Sequence, residues 1–399
     1  MMNKFTKKML GVMTASAAVI MMSGCSVAKN SSNAGTKQDH AVVKIGVNME
    51  LSGAASGYGE AEKQGIQLAA SEINKAGGID VNGHKKKIKL IIRDNKTAIA
   101  TSASVAAQLT TKDKVAAIVG PATTNAGTAQ IPNITKAAVP SVSPSATDPK
   151  FTLQKDGKVQ PYVFRACYQN NFQGGSAAKF VFNQLKAKRV AILADNSSDY
   201  GTGLAKAFKK AYQGKIVDSQ TFSAGDKDFN AILTSFKSKK VDAIYVPGYY
   251  TEAGLIIKQA RQMGIKVPIV GSDGMADPKL AQIAGNKNAT KIYYTTPFSV
   301  RAAAKDPVAA KFMKAYKARY HEQAPTFSAL AYDAVYMIKE AIETGKSDDS
   351  AKIATNLAKI KDFTGVAGKI TVDQKHNPEK PIATEELTNG QVSNSFKIE

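Results

Sequence analysis

The sequence predicts an α/β protein of two similar, Rossmann-like lobes. Three observations carry that expectation. Short apolar runs alternate with longer segments of helical period. The runs are apolar on nearly consecutive residues, as in Ile88-Lys89-Leu90-Ile91-Ile92 and Val115-Ala116-Ala117-Ile118-Val119, which suits parallel strands covered on both faces. The same alternation then restarts at Arg189. In the first lobe the pattern predicts strands at 43–49, 88–93 and 115–120, with helices at 60–74 and 102–110 between them. In the second it predicts strands at 190–194, 215–222, 243–246 and 267–270, separated by helices at 203–212, 229–237 and 253–263. A strand at 292–295 and two strongly periodic helices, 307–320 and 327–344, follow; from Val366 onward the chain reads as short strands and turns. Tyr58-Gly59 and Tyr200-Gly201 stand at the same place in each lobe, after its first strand and before its first helix.

Ahead of this alternation lies a different kind of sequence. Residues 1–8 carry Lys4, Lys7 and Lys8, an apolar run continues to Met22, and Ser23-Gly24-Cys25 follows. The run is shorter than the roughly 20 residues that span a bilayer, so 1–24 reads as an export signal and not as fold. A cysteine just behind small residues resembles the lipobox of bacterial lipoproteins, which implies lipidation of Cys25 and cleavage before it. Residues 25–41, rich in Ser, Asn, Lys, Gly and Thr, read as a flexible tether.

Composition narrows the class further. The 54 Lys and Arg against 32 Asp and Glu give +22, yet the lysines are scattered singly, with Lys85-Lys86-Lys87 the one run of three, so a solvated surface is expected and not a nucleic-acid stripe. Apart from Cys25 the only cysteine is Cys167, which excludes a disulfide framework and reads as a small buried hydrophobe. The four histidines, His40, His84, His321 and His376, are far apart and are expected on the surface; no metal or cofactor is expected. No nucleophile elbow or phosphate loop occurs, and Gly57-Tyr58-Gly59 and Gly201-Thr202-Gly203 have Glu62 and Lys206 where a dinucleotide fingerprint has its third glycine. An exported α/β enzyme is the contrary reading, and it lacks a visible nucleophile–base pair.

In open α/β sheets ligands bind beyond the carboxyl ends of the strands. Two hydroxyl-bearing loops occupy such places in the first lobe: Gly120-Pro121-Ala122-Thr123-Thr124-Asn125 and Ser143-Pro144-Ser145-Ala146-Thr147-Asp148. Each reads either as an anion cradle or as simple helix capping. In the second lobe Gly248-Tyr249-Tyr250 and Gly271-Ser272-Asp273-Gly274 follow strands, and Asp273 suits an ammonium group or a turn. Donors in one lobe and an acid in the other fit a zwitterion such as an α-amino acid.

These residues, with Leu51-Ser52-Gly53, Ala76-Gly77-Gly78-Ile79, Phe164-Arg165, Gln173-Gly174 and Tyr200-Gly201-Thr202-Gly203 in this order, resemble the branched-chain amino-acid binding proteins, the lipoprotein receptors of bacterial ABC importers with the type I periplasmic-binding fold. The resemblance covers nearly all of the chain from Val43. It implies two lobes joined by three hinge strands, with crossings near Arg165, Thr295 and Lys369: one lobe of 42–164 plus 297–367, the other of 165–296 plus 368–399. It implies that Thr124 and Thr147 bind the ligand α-carboxylate with the backbone of Ala122 and Ser145, and that Thr123 and Ala146 belong to the same loops. Asp273 binds the α-ammonium with Tyr249 and Gly274 beside it, and Tyr58, Tyr200 and Phe327 line the side-chain pocket. The chain departs from better-known members in having Asp273 for Glu and Thr124 for Ser. The implied function is an extracytoplasmic, lipid-anchored monomer of a single-membrane, Gram-positive-type bacterium that delivers Leu, Ile or Val to an ABC permease. Receptors of the same fold for amides, urea or aromatic acids are the alternative.

Overall fold

The computed structural model describes residues 42–397; the expected leader, Cys25 and tether lie outside the described residues. The first lobe opens with β1 (Val42–Met49), α1 (Ser56–Lys75), β2 (Ile79–Val81) and β3 (His84–Asp94). It continues with α2 (Ile99–Thr111), β4 (Ala117–Val119), α3 (Thr124–Ala137), β5 (Ser141–Ser143) and β6 (Val163–Arg165). The six strands form one sheet in the order β2-β3-β1-β4-β5-β6, parallel except for the β2–β3 hairpin. That hairpin turns on Asn82-Gly83, both at positive φ (53° and 86°), the turn chemistry that matches strand twist. It extends β3 back over the three-lysine run, where Lys86 pairs with Asp348 at 2.7 Å.

The second lobe contains α4 (Asn170–Asn183), β7 (Arg189–Asp195), α5 (Asp199–Ala211), β8 (Lys215–Phe222), α6 (Asn230–Ser238), β9 (Ala243–Val246), α7 (Tyr250–Gln262), β10 (Ile269–Gly271), α8 (Lys279–Ala284) and β11 (Ile292–Thr296). The chain then supplies α9 (Val300–Ala303), α10 (Pro307–Tyr320), α11 (Thr326–Gly345), α12 (Ser350–Leu357) and the small hairpin β12 (Phe363–Gly365) and β13 (Gly368–Ile370). It ends with β14 (Ala383–Thr388) and β15 (Gln391–Lys397). The second sheet has seven strands in the order β15-β14-β11-β10-β9-β7-β8, its last two chain segments antiparallel. α11 packs on α1 in the first lobe, burying Leu330, Ala334, Val335 and Ile338.

The central strands of both sheets are buried runs, β4 and β9 on every residue, which is why their sequences are apolar without alternation, while the edgeward β3, β8 and β15 are largely half-buried or exposed. The tyrosine–glycine echo has a steric cause: a Cβ on Gly59 would stand 2.0 Å from the carbonyl oxygen of Glu50, and one on Gly201 2.4 Å from that of Asp195. In each lobe the helix that follows the first strand, α1 or α5, passes against the end of that strand at a distance only glycine permits.

The chain leaves the first sheet after Arg165, leaves the second after Thr296, and re-enters it at Ala383. The expected division at 367/368 falls inside the β12–β13 hairpin, so the third crossing lies beyond Ile370. In this last crossing His376 is buried, contrary to the surface position expected: it stacks on Phe164 with ring centroids 4.1 Å apart, and its Nδ1 lies 3.0 Å from the Val163 carbonyl oxygen. Covering the end of β6 is what takes this imidazole out of water. Beside it Lys380 is buried against Asp333 at 3.4 Å, and Asp333 also accepts from the N–H groups of Val366 and Ala367. Among the described residues no helix is long and apolar enough to cross a membrane.

Candidate functional site

The loops after β4, β5, β9 and β10 converge between the lobes. Ten of the expected residues, Tyr58, Ala122, Thr123, Thr124, Ser145, Tyr200, Tyr249, Asp273, Gly274 and Phe327, line one small cavity that is partly open to solvent. Ala146 and Thr147 stand behind its wall.

On the first-lobe side, α3 starts at Thr124 with Thr123 as a cap whose side chain makes no capping bond. The N–H groups of its first turn have no intrahelical partner and carry the positive end of the helix dipole. The Thr124 hydroxyl oxygen accepts weakly from the Asp148 N–H at 3.4 Å, leaving its own proton to give. The Thr147 hydroxyl is buried and meets no protein partner, an orphan expected only where a ligand or water completes it.

Two expected contributions are corrected. The donors of Ala122 and Thr123 are already engaged: Glu50, buried at the end of β1, accepts from the Ala122 N–H at 2.9 Å, the Thr123 N–H at 3.0 Å and the Thr123 hydroxyl at 2.8 Å. An internal carboxylate thus fills that part of the cradle. Ala146 is likewise committed, its N–H donating to the Ser143 hydroxyl at 3.0 Å while its carbonyl accepts from Arg165 at 2.8 Å.

Glu50, Glu62 and Arg165 are the polar residues that sequence reasoning left out of the site. Arg165 is fully buried, and its guanidinium also donates to the Asp148 carbonyl at 2.7 Å, so the last strand of the first sheet clamps the whole Ser145–Asp148 loop. Glu62 lies behind Ser145, 2.5 Å from its hydroxyl. Beside this loop Cys167 is buried as expected, its thiol pushed up to about 12 by burial.

On the facing side, the Asp273 carboxylate accepts from the Tyr200 hydroxyl at 2.6 Å. Tyr200 is fixed in turn by the Gly274 N–H, which donates to it at 2.8 Å, and by stacking on Tyr249 at 5.0 Å with ring planes 2° apart. Burial raises the Asp273 carboxyl to about 6, and the Tyr200 hydrogen bond only partly offsets this. An acid so placed gains from a cation beside it.

Tyr58 and Phe327, with centroids 4.8 Å apart, and Tyr249, 5.7 Å from Tyr58, form the apolar wall. The lobes are closed on one another: the Tyr250 N–H donates to the Tyr58 hydroxyl at 3.2 Å, the Gly57 N–H to the Tyr250 hydroxyl at 3.1 Å, and the Asp199 N–H to the Asn125 side chain at 3.4 Å. Among the described residues no three His, Cys, Asp or Glu side chains converge on a possible metal site.

The sequence profile of the periplasmic binding protein family matches residues 42–391. The chain belongs to that family. Members of the periplasmic binding protein family bind solutes and are not enzymes, and this one is a solute-binding protein. It is 34% identical to the Leu/Ile/Val-binding protein BraC3 of Rhizobium johnstonii over 83% of this chain and 88% of the relative. It is 30% identical to the leucine-, isoleucine-, valine-, threonine- and alanine-binding protein of Pseudomonas aeruginosa over 84% and 86%. Among solved structures it is similar to the branched-chain amino-acid transporter substrate-binding protein LivJ of Streptococcus pneumoniae, a complex with isoleucine. That similarity has 45% identity and a TM-score of 0.85, covering 90% of this chain and 99% of that one. The resemblance drawn from the motifs, and with it the two-lobed α/β class, is borne out.

Proposed function

We propose that this protein captures a branched-chain amino acid, Leu, Ile or Val, between its lobes. One observation carries the reading: a cavity between the lobes with unspent donors on one side, a buried acid on the other, and an aromatic wall between them. The α-carboxylate lies against the first turn of α3, the Thr124 and Thr147 hydroxyls and the Ser145 backbone. The α-ammonium pairs with Asp273, and the aliphatic side chain packs on Tyr58, Tyr249 and Phe327. The names of the relatives support the same ligand class.

Lobe 1 is taken as 42–164 with 297–370, which keeps the β12–β13 hairpin whole, and lobe 2 as 165–296 with the remainder, the hinges running through the three crossings. The receptor acts as a monomer that hands its ligand to an ABC permease. It is held outside the cell membrane by a lipid on Cys25, as in a single-membrane, Gram-positive-type bacterium. An aromatic acid without an amino group is disfavoured, because it would leave Asp273 buried and unpaired.

Calorimetry with the twenty amino acids tests the ligand: heat is expected from Leu, Ile and Val, and none from any aliphatic amino acid would overturn the proposal. Mass spectrometry of the membrane fraction tests the anchor, where an unmodified Cys25 would refute it and leave the ligand assignment standing.

A further inference from the structure

Ser145 poses a proton-counting problem. Its hydroxyl oxygen lies 2.9 Å from the carbonyl oxygen of Ala122 and 2.5 Å from Oε1 of Glu62. A hydroxyl has one proton, and a carbonyl oxygen can only accept. If Ser145 gives its proton to Ala122, the shorter contact is a hydrogen bond only when Glu62 itself supplies the second proton. The other oxygen of Glu62, Oε2, is buried and meets no partner, a position ruinous for a carboxylate and tolerable for a neutral acid. Glu50, nearby in the same core, is the opposite case: its two oxygens accept three hydrogen bonds and face no acceptor that would need a proton from them.

We propose that Glu62 is held as the neutral carboxylic acid, donating from Oε1 to the Ser145 hydroxyl, and that it is a positioning residue for the anionic end of the ligand. Its proton lets Ser145 bind Ala122 and Glu62 together, which fixes the loop between β5 and Thr147 in place. It also keeps a second negative charge out of the core behind the ligand's carboxylate. The division of labour is between two buried acids: ionised Glu50 shapes the β4–α3 loop by accepting, and neutral Glu62 shapes the next loop by donating.

The surroundings agree. Burial above all, with a smaller contribution from the Glu50 carboxylate, pushes the Glu62 carboxyl well above the usual range, against the pull of the Ser145 hydrogen bond. The titratable groups set near it are Glu50 at the end of β1 and Cys167 after β6, whose own thiol is shifted far up. α11, packed along α1, brings Phe327 and the backbone of Ser328 to this stretch, with no cation. Arg165, the buried guanidinium of the region, is spent on the carbonyls of Ala146 and Asp148. Nothing positive therefore compensates a charge on Glu62.

The role rests on the amino-acid reading above, and the test separates the two. Infrared spectroscopy of the ligand-free protein at pH 8, where Asp273 is ionised, is expected to show a protonated-carboxyl stretch that disappears in Glu62→Gln. A wild-type spectrum without that stretch overturns the proposal whatever the ligand, and needs no variant to fold. For isoleucine binding, wild-type affinity is expected to fall once the pH is high enough for the infrared stretch to disappear, with a limiting slope there one proton steeper than that of Glu62→Gln, about tenfold more per pH unit. Glu62→Gln, which keeps a donor toward Ser145, is expected to stay within about threefold of wild type at pH 7. Parallel pH profiles across a range in which the infrared stretch of Glu62 is lost overturn the proposal. Absence of isoleucine binding by wild type overturns the ligand reading instead, and the infrared result then stands alone.

Discussion

The Tyr58 hydroxyl donates to the carbonyl oxygen of Gly274 in the facing lobe. It also accepts from the Tyr250 N–H, so one side chain on the ligand wall doubles as a tie across the cleft. Tyr58→Phe keeps the apolar wall and removes the tie. Affinity is expected to fall about fivefold, the worth of a net hydrogen bond of roughly 1 kcal/mol. Stopped-flow measurement should place the loss in the dissociation rate, because the tie exists only in the closed state; an unchanged dissociation rate would refute this.

Asp273 is raised by burial to about 6, above its value in an unfolded chain. Its ionised form therefore costs stability in the ligand-free closed protein as pH rises from the ordinary carboxylate range through 6, and an ammonium removes that cost. Affinity for isoleucine should decline as pH falls below about 6, with proton release on binding near that pH. Asp273→Asn should lose more than tenfold in affinity at pH 7.5 while melting at a higher temperature than wild type without ligand. Calorimetry and thermal melts in the same buffer check both signs.

Arg165 holds the carbonyls of Ala146 and Asp148 in the loop after β5, and its guanidinium lies 5.3 Å from the centre of the Phe151 ring. Arg165→Ala leaves both acceptors unpaired and a cavity behind, which is expected to cost about 3 kcal/mol in urea unfolding. Arg165→Lys cannot span both carbonyls with one ammonium group and should recover only part of it. Full stability in the lysine variant would show that the two-pronged clamp is unimportant.

Lys380 and Asp333 form a buried pair beside the third crossing. Lys380→Met should destabilise by about 3 kcal/mol, since Asp333 is left buried without its cation, with only the Val366 and Ala367 N–H groups beside it. Adding Asp333→Asn should restore a good part of that loss. A double-mutant cycle in urea would expose additive behaviour, and additivity would contradict the coupling.

The loops that bear the site could be read in advance because each sits where an apolar run stops and hydroxyl or glycine residues begin, a local signal at Thr123-Thr124, Ser145 and Asp273. The residues that discipline those loops could not. Glu50 reaches Ala122 across 72 positions and Glu62 reaches Ser145 across 83, so nothing in their neighbourhoods marks them. His376 stands between Lys375 and Asn377 and reads as exposed; only the crossing that lays it on Phe164 buries it. The β2–β3 hairpin had its signal in Asn82-Gly83, but the lysines of β3 masked the strand, because their positions answer to nearby acids and not to sheet alternation. Short strands such as β5 and β6, three residues each, are set by their neighbours in the sheet more than by their own composition.

The repeated passage between sheets bears on how the molecule is made. α1 is covered by α11, whose first residue follows the end of α1 by some 250 positions, with the strands from β7 to β11 lying wholly between them. As the chain emerges from the ribosome, the parallel part of the second sheet can assemble while the first lobe still shows the bare face of α1 to water. The domain begun first thus waits for a helix made after most of its partner, and a truncated product ending before Thr326 would expose an apolar helix with no partner to cover it.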